Sequence, residues 1–164
     1  MNILFLDMDG VVNRGRDNAK PDRYPYDDEW SHPGSKYDLF YVSPDLAERV
    51  TKLCNDYDLH IVASSSWRKF ITTLDEYKVM LTNRFLPGDR LVGFTPNFGT
   101  PRKDEIRYFI NNCEFPIHRY VILDDDSDAR YNTELGQFFQ TSFNHGYTES
   151  VDRKVREYLD KHSS

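Results

Sequence analysis

Asp7 and Asp9 stand two residues apart, directly after the apolar run Ile3-Leu4-Phe5-Leu6. Residues i and i+2 of an extended chain share a face, so this spacing crowds two carboxylates together. At a separation of about 4 Å and an effective dielectric near 20 their repulsion is roughly 4 kcal/mol. Proteins relieve such repulsion by protonating one acid or by adding a cation. Carboxylates so placed can act as a covalent nucleophile, as a general acid and base, or as ligands of a hard divalent metal. Further along, Ser64-Ser65-Ser66 follows a second apolar run, Lys103 comes just after Thr100-Pro101, and the acidic stretch Asp124-Asp125-Asp126-Ser127-Asp128 ends a later one. A nucleophilic acid, a second acid for proton transfer and cations to neutralise a transferring anion are the parts of a phosphoryl-transfer site.

The elements that must position these groups are legible in the hydrophobic pattern. Ile3–Leu6, Leu59–Ala63 and Tyr120–Leu123 are unalternated apolar runs, the mark of strands buried on both faces of a parallel sheet. Shorter strands are expected at Leu91–Phe94 and around Phe138–Thr141. Pro44 after Ser43 opens a helix with Leu46, Val50, Leu53 and Cys54 on one face. Another helix is expected from about Trp67 to Leu81, and one after Thr100-Pro101 with Ile106, Phe109, Ile110 and Cys113 inward. A last helix carries Val151, Val155, Tyr158 and Leu159. Strands alternating with helices predict an α/β fold, a doubly wound parallel sheet flanked by helices. In such sheets ligands bind beyond the carboxyl ends of the strands, which is where each polar signal falls. The stretch 13–41 interrupts the alternation. It is longer than the roughly 12–15 residues of an ordinary connection and reads as a short flap over the site. It mixes Arg14, Arg16, Lys20 and Arg23 with Tyr24, Tyr26 and Trp30, a combination suited to phosphate contact and base stacking.

The motif set resembles the haloacid dehalogenase (HAD) superfamily of phosphohydrolases. Asp7-Met8-Asp9-Gly10-Val11 matches its first motif, Ser64 its second, Lys103 its third and Asp124-Asp125 its fourth. The resemblance implies a Rossmann-like core with little or no cap domain, and a magnesium-dependent phosphomonoester hydrolase working through an aspartyl-phosphate. It makes Asp7 the nucleophile and a magnesium ligand, and Asp9 the acid and base, binding metal through its backbone carbonyl. Gly10, Ser64, Ser65 and Lys103 would hold the phosphoryl group. Asp124 would bind magnesium directly, and Asp125 or Asp128 through water. Arg68 is placed to steer an anionic substrate. Retention of Asp9 favours phosphate-ester hydrolysis over dehalogenation. A small cap implies an open site and large substrates, such as a nucleotide, a nucleic-acid end or another phosphomonoester. A catalytically silent phosphate- or nucleotide-binding module and a phosphotransferase are the alternative readings.

Whole-chain properties bound these expectations. A length of 164 residues, with 38% hydrophobic and 15% aromatic residues, suits one domain over 1–164. The net charge of −6 argues against wholesale electrostatic binding to a polyanion, while leaving room for a local basic groove. Cys54 and Cys113 fall at apolar helical positions and are expected to be buried free thiols. A strand beginning at residue 2 leaves no room for a cleavable signal, and no apolar stretch approaches the ~20 residues that span a membrane. The expectation is a cytoplasmic protein.

Overall fold

The computed structural model describes residues 1–15 and 40–162. Most of the expected flap, including its basic and aromatic residues from Arg16 to Trp30, lies outside the described residues. Five strands form one parallel sheet: β1 (Asn2–Leu6), β2 (Leu59–Ala63), β3 (Leu91–Phe94), β4 (Arg119–Asp124) and β5 (Gly136–Gln140). Their spatial order is β3-β2-β1-β4-β5. The chain winds outward from β1 through β2 and β3, then crosses to the other side of β1 for β4 and β5. The order therefore reverses between β1 and β4, and open sheets of this kind bind ligands at such a switch point, beyond the strands' carboxyl ends.

Four helices complete the alternation: α1 (Pro44–Tyr57), α2 (Leu74–Asn83), α3 (Arg102–Asn112) and α4 (Glu149–Lys161). The alternation of side chains along β1 divides the core. Leu4 and Leu6 pack with Leu53 of α1, Met80 and Leu81 of α2, and Val155 and Leu159 of α4. Ile3 and Phe5 face the opposite layer with Ile106 of α3, Tyr120, Ile122 and Phe138. Three helices thus cover one face and one helix covers the other. Burying a large aliphatic or aromatic side chain contributes about 1.5–3 kcal/mol, and all four of these β1 residues are buried. The runs that looked unalternated are strands with an apolar layer on each side.

The structure departs from the sequence pattern in three places. The helix expected from Trp67 onward is split into a 3-10 turn, Ser66–Lys69, and α2. Thr73 is the cause: its hydroxyl accepts from the Glu76 N–H at 3.2 Å, the Thr-x-x-Glu start signal of a new helix. The last strand begins two residues earlier than Phe138, at Gly136, where a Cβ would collide with the Tyr120 ring. No helix joins β4 to β5 either, only a 3-10 turn at Ser127–Ala129. Tyr131 from this connection stacks on Tyr120 with ring centroids 6.3 Å apart, and its carbonyl accepts from the Tyr120 hydroxyl at 2.6 Å. It covers the sheet where a helix would otherwise lie.

Both stems of the 13–41 insertion are anchored. On the leading side the Gly15 N–H donates to the Phe143 carbonyl at 2.9 Å, and Arg14 pairs with Asp45 at 2.6 Å. On the returning side the Ser43 N–H donates to the Val12 carbonyl at 2.8 Å. Cys54 is buried and Cys113 half-buried, and both are free thiols. Among the described residues no helix is long and apolar enough to cross a membrane.

Candidate active site

Parallel register brings the polar strand ends to one level. Leu6 pairs with Ala63 on one side and with Leu123 on the other. One residue further on stand Asp7, Ser64 and Asp124. The Asp7 N–H donates to the Leu123 carbonyl and the Ser64 N–H to the Leu6 carbonyl, each at 3.0 Å. Asp7, Asp124 and Asp125 offer carboxylate oxygens that all lie within 4.8 Å of one another. Asp7 is 2% exposed and Asp124 fully buried. Burial raises the pKa of Asp7 well above the usual carboxylate range; Asp124 raises it further, and Arg102 opposes the shift. The Asp125 pKa is raised too, first by burial, with the Asp7 hydrogen bond opposing and Asp124 adding to it.

Arg102, the first residue of α3, meets this charge. Its Nη1 lies 3.0 Å from Asp7 Oδ1 and 2.7 Å from Asp124 Oδ2. Burial works against the guanidinium charge, but Asp7 and Asp124 outweigh it and hold the arginine protonated beyond its usual range. Lys103, which the sequence placed here, is exposed on the next position of the helix. The other oxygen of Asp124, Oδ1, accepts from the Asp126 N–H at 2.9 Å. Asp126 turns its own carboxylate to the Asp128 N–H, and both are exposed outside the cluster. Of the acidic run, Asp124 and Asp125 reach Asp7.

Asp9 faces another way. Its Oδ1 accepts from Asn13 Nδ2 at 2.9 Å and its Oδ2 from the Trp67 indole N–H at 3.0 Å. Gly10 turns the chain directly after Asp9 with φ +78°, a conformation that favours glycine. A Cβ there would also strike Asp125 at 2.5 Å. The Gly10 N–H is taken by Asn13 Oδ1 at 2.9 Å, and its carbonyl by the Thr141 hydroxyl at 2.6 Å. Gly10 therefore shapes the loop, and its N–H is engaged within the protein.

The remaining candidates divide. Ser64 is buried, and its hydroxyl has no hydrogen-bond partner among the described residues. An orphaned buried hydroxyl costs about 1–3 kcal/mol, which a phosphoryl oxygen would recover. The Ser65 hydroxyl oxygen accepts from the Trp67 N–H at 3.1 Å and caps the 3-10 turn. Arg68 is buried as well. It donates to the carbonyls of Ser65, Thr95 and Pro96 at 2.5, 3.1 and 3.3 Å and to Glu105 Oε1 at 2.8 Å. These bonds brace the loops after β2 and β3 against α3, so the sequence expectation of an anion-steering arginine gives way to a structural one.

A family model of the HAD domain in Swiss Army Knife RNA repair proteins matches residues 3–151. The chain belongs to this family. No curated protein and no solved structure matches it. The match spans both strand ends described above, Asp7 after β1 and Asp124 at the end of β4.

The donor set of this HAD domain suits a hard cation. Three carboxylates, with no nitrogen or sulfur ligand beside them among the described residues, favour magnesium or a similar ion over zinc or copper. Burial first and then the Asp124 charge raise the pKa of Asp7, and an ion would relieve the second of these. Three residues were missed in the sequence: Arg102, Asn13 and Trp67. Arg102 had a signal, because it lies four residues before Ile106 and so shares that helix face. Asn13 and Trp67 had none, since their approach to Asp9 depends on the folded loops.

Proposed function

We propose that this HAD domain hydrolyses terminal phosphomonoesters of nucleic acids or nucleotides with magnesium, through an aspartyl-phosphate on Asp7. The observation that carries the proposal is the convergence of Asp7, Asp124, Asp125 and Arg102 at the carboxyl edge of the sheet, beside buried Ser64, whose hydroxyl has no partner among the described residues. The family's place among RNA repair proteins supports the substrate class.

In this reading an Asp7 oxygen attacks phosphorus, the bond to the ester oxygen breaks, and that oxygen takes a proton from the Asp9 carboxyl. Water then attacks phosphorus and gives its proton to Asp9, which releases phosphate and frees Asp7. Asp7, Asp124 and Asp125, with the Asp9 backbone carbonyl, would hold magnesium, which when bound would supply positive charge to the phosphoryl oxygens. Arg102 takes the charge-neutralising role first assigned to Lys103, and Ser64 donates to a phosphoryl oxygen.

Phosphate release is the test, measured across oligonucleotides with 3′- or 5′-phosphate, nucleoside monophosphates, sugar phosphates and phosphopeptides. Turnover should favour nucleic-acid ends or nucleotides, require magnesium and vanish in Asp7→Asn. Full activity of Asp7→Asn would refute the mechanism. Tight binding without turnover across the panel would make the domain a binding module, and dependence on an acceptor other than water would make it a phosphotransferase.

A further inference from the structure

We infer that Asn13 and Trp67 are positioning residues that set the pose of Asp9 for proton transfer to the leaving group. The inference rests on the proposed role of Asp9 as acid and base. Each oxygen of the Asp9 carboxylate accepts one N–H, from Asn13 at 2.9 Å and from Trp67 at 3.0 Å. An ionised carboxylate has about four lone-pair sites, so each oxygen keeps one for the travelling proton. Both donors are neutral. They orient the acid without supplying a competing charge.

Each donor is itself fixed. Asn13 is fully buried, and every polar group of its amide is used: Oδ1 by the Gly10 N–H, Nδ2 by Asp9 and by the Tyr41 carbonyl, each at 2.9 Å. A flipped amide would set N–H groups against the Gly10 N–H, so one orientation is selected. Trp67 is 3% exposed, its backbone N–H is capped by Ser65, and its ring lies 4.8 Å from that of Phe40. Its indole nitrogen has a single hydrogen, and Asp9 receives it. Positioning of this kind counts because an ångström of misplacement can cost on the order of a hundredfold in rate.

The leaving group separates positioning from simple support of the fold. A nitrophenolate departs without a proton, whereas an alkoxide needs one as its bond to phosphorus breaks. Misplacing Asp9 should therefore slow formation of the aspartyl-phosphate from an alkyl phosphate and spare its formation from p-nitrophenyl phosphate, whereas the later hydrolysis, which also uses Asp9, is common to both substrates. A loosened fold would slow formation from both. The experiment measures kcat and KM on both substrates for wild type, Trp67→Phe, Asn13→Ala and Asp9→Asn. Trp67→Phe keeps an aromatic ring against Phe40 and decides the matter if Asn13→Ala does not fold. The alkyl-to-aryl ratio of kcat/KM, which covers only the steps through departure of the leaving group, should fall at least about tenfold in the positioning variants, toward that of Asp9→Asn. If Asp9→Asn shifts the ratio and Trp67→Phe does not, the inference falls while the proposed function stands. If Asp9→Asn leaves the ratio unchanged, or wild type turns over neither substrate, the acid–base reading of Asp9 falls and takes the inference with it.

Discussion

At the scale of single residues, the choice between Arg102 and Lys103 depends on helical phase. Residues four apart share a face, so Arg102 sits above buried Ile106 and reaches the carboxylates, while its neighbour points to solvent. Arg102→Ala would leave Asp7 and Asp124 without their cationic partner and remove a donor that neutralises the phosphoryl group. Losing one such preorganised donor costs about 10²–10³ in kcat. Phosphate-release assays should show a loss of that size for Arg102→Ala and less than about threefold for Lys103→Ala. The reverse order would return the role to Lys103. Asp7, Asp9, Ser64 and the Asp124-Asp125 pair were legible in the sequence because each follows an apolar strand, and strand ends in a parallel sheet share an edge. The capping role of the Ser65 hydroxyl and the occupied N–H of Gly10 were not, because hydrogen-bond partners two or three residues away depend on backbone angles that spacing does not fix.

At the scale of elements, the brace between Arg68 and Glu105 holds α3 in the register that aims Arg102. Both side chains are buried, 6% and 4% exposed, and the guanidinium also ties down three carbonyls. Removing one partner of a buried pair strands the other charge and costs about 3–5 kcal/mol. Urea denaturation should show a loss of that order for Arg68→Ala and a smaller one for the double variant Arg68→Met with Glu105→Leu. Equal losses would mean that packing, and not the pair, carries the stability. Glu105 lies beside Ile106 in α3, so helical phase allows it an inward place, but no local pattern marked Arg68 as its partner across 37 residues. The insertion gives an element-scale prediction of its own. Its stems are anchored at Gly15, Arg14 and Ser43, and its basic and aromatic residues suit a nucleic-acid partner. Trimming residues 27–34 should leave turnover of p-nitrophenyl phosphate largely intact and lower efficiency on a phosphorylated oligonucleotide at least about tenfold, equivalent to roughly 1.4 kcal/mol. Equal losses on both would make the segment part of the chemical apparatus.

At the scale of the whole molecule, folding gathers three carboxylates at one sheet edge of a chain whose net charge is already −6, so stability should depend on protons and cations together. The folded protein raises the pKa of Asp7, chiefly by burial and then by Asp124, whereas an unfolded aspartate titrates near about 3.9. A carboxyl whose folded pKa is raised binds its proton more tightly in the native state. Its contribution is therefore fully present below the unfolded pKa and is lost as pH rises through the folded one. In chelator, Asp7→Asn escapes this loss because an amide does not titrate. Its melting temperature should match wild type near about pH 4 and exceed it increasingly as pH rises, until Asp7 is ionised in both the folded and unfolded chains. Magnesium should reverse the order at neutral pH: an ion at about a hundred times its Kd stabilises the native state by about 2.7 kcal/mol, and Asp7→Asn forfeits most of that gain. Thermal melts across pH, with magnesium and with chelator, check both halves. Parallel curves for the two proteins in chelator would show that Asp7 titrates alike in the folded and unfolded chains, and an unchanged wild-type melting temperature on adding magnesium would remove the cation from this edge of the sheet.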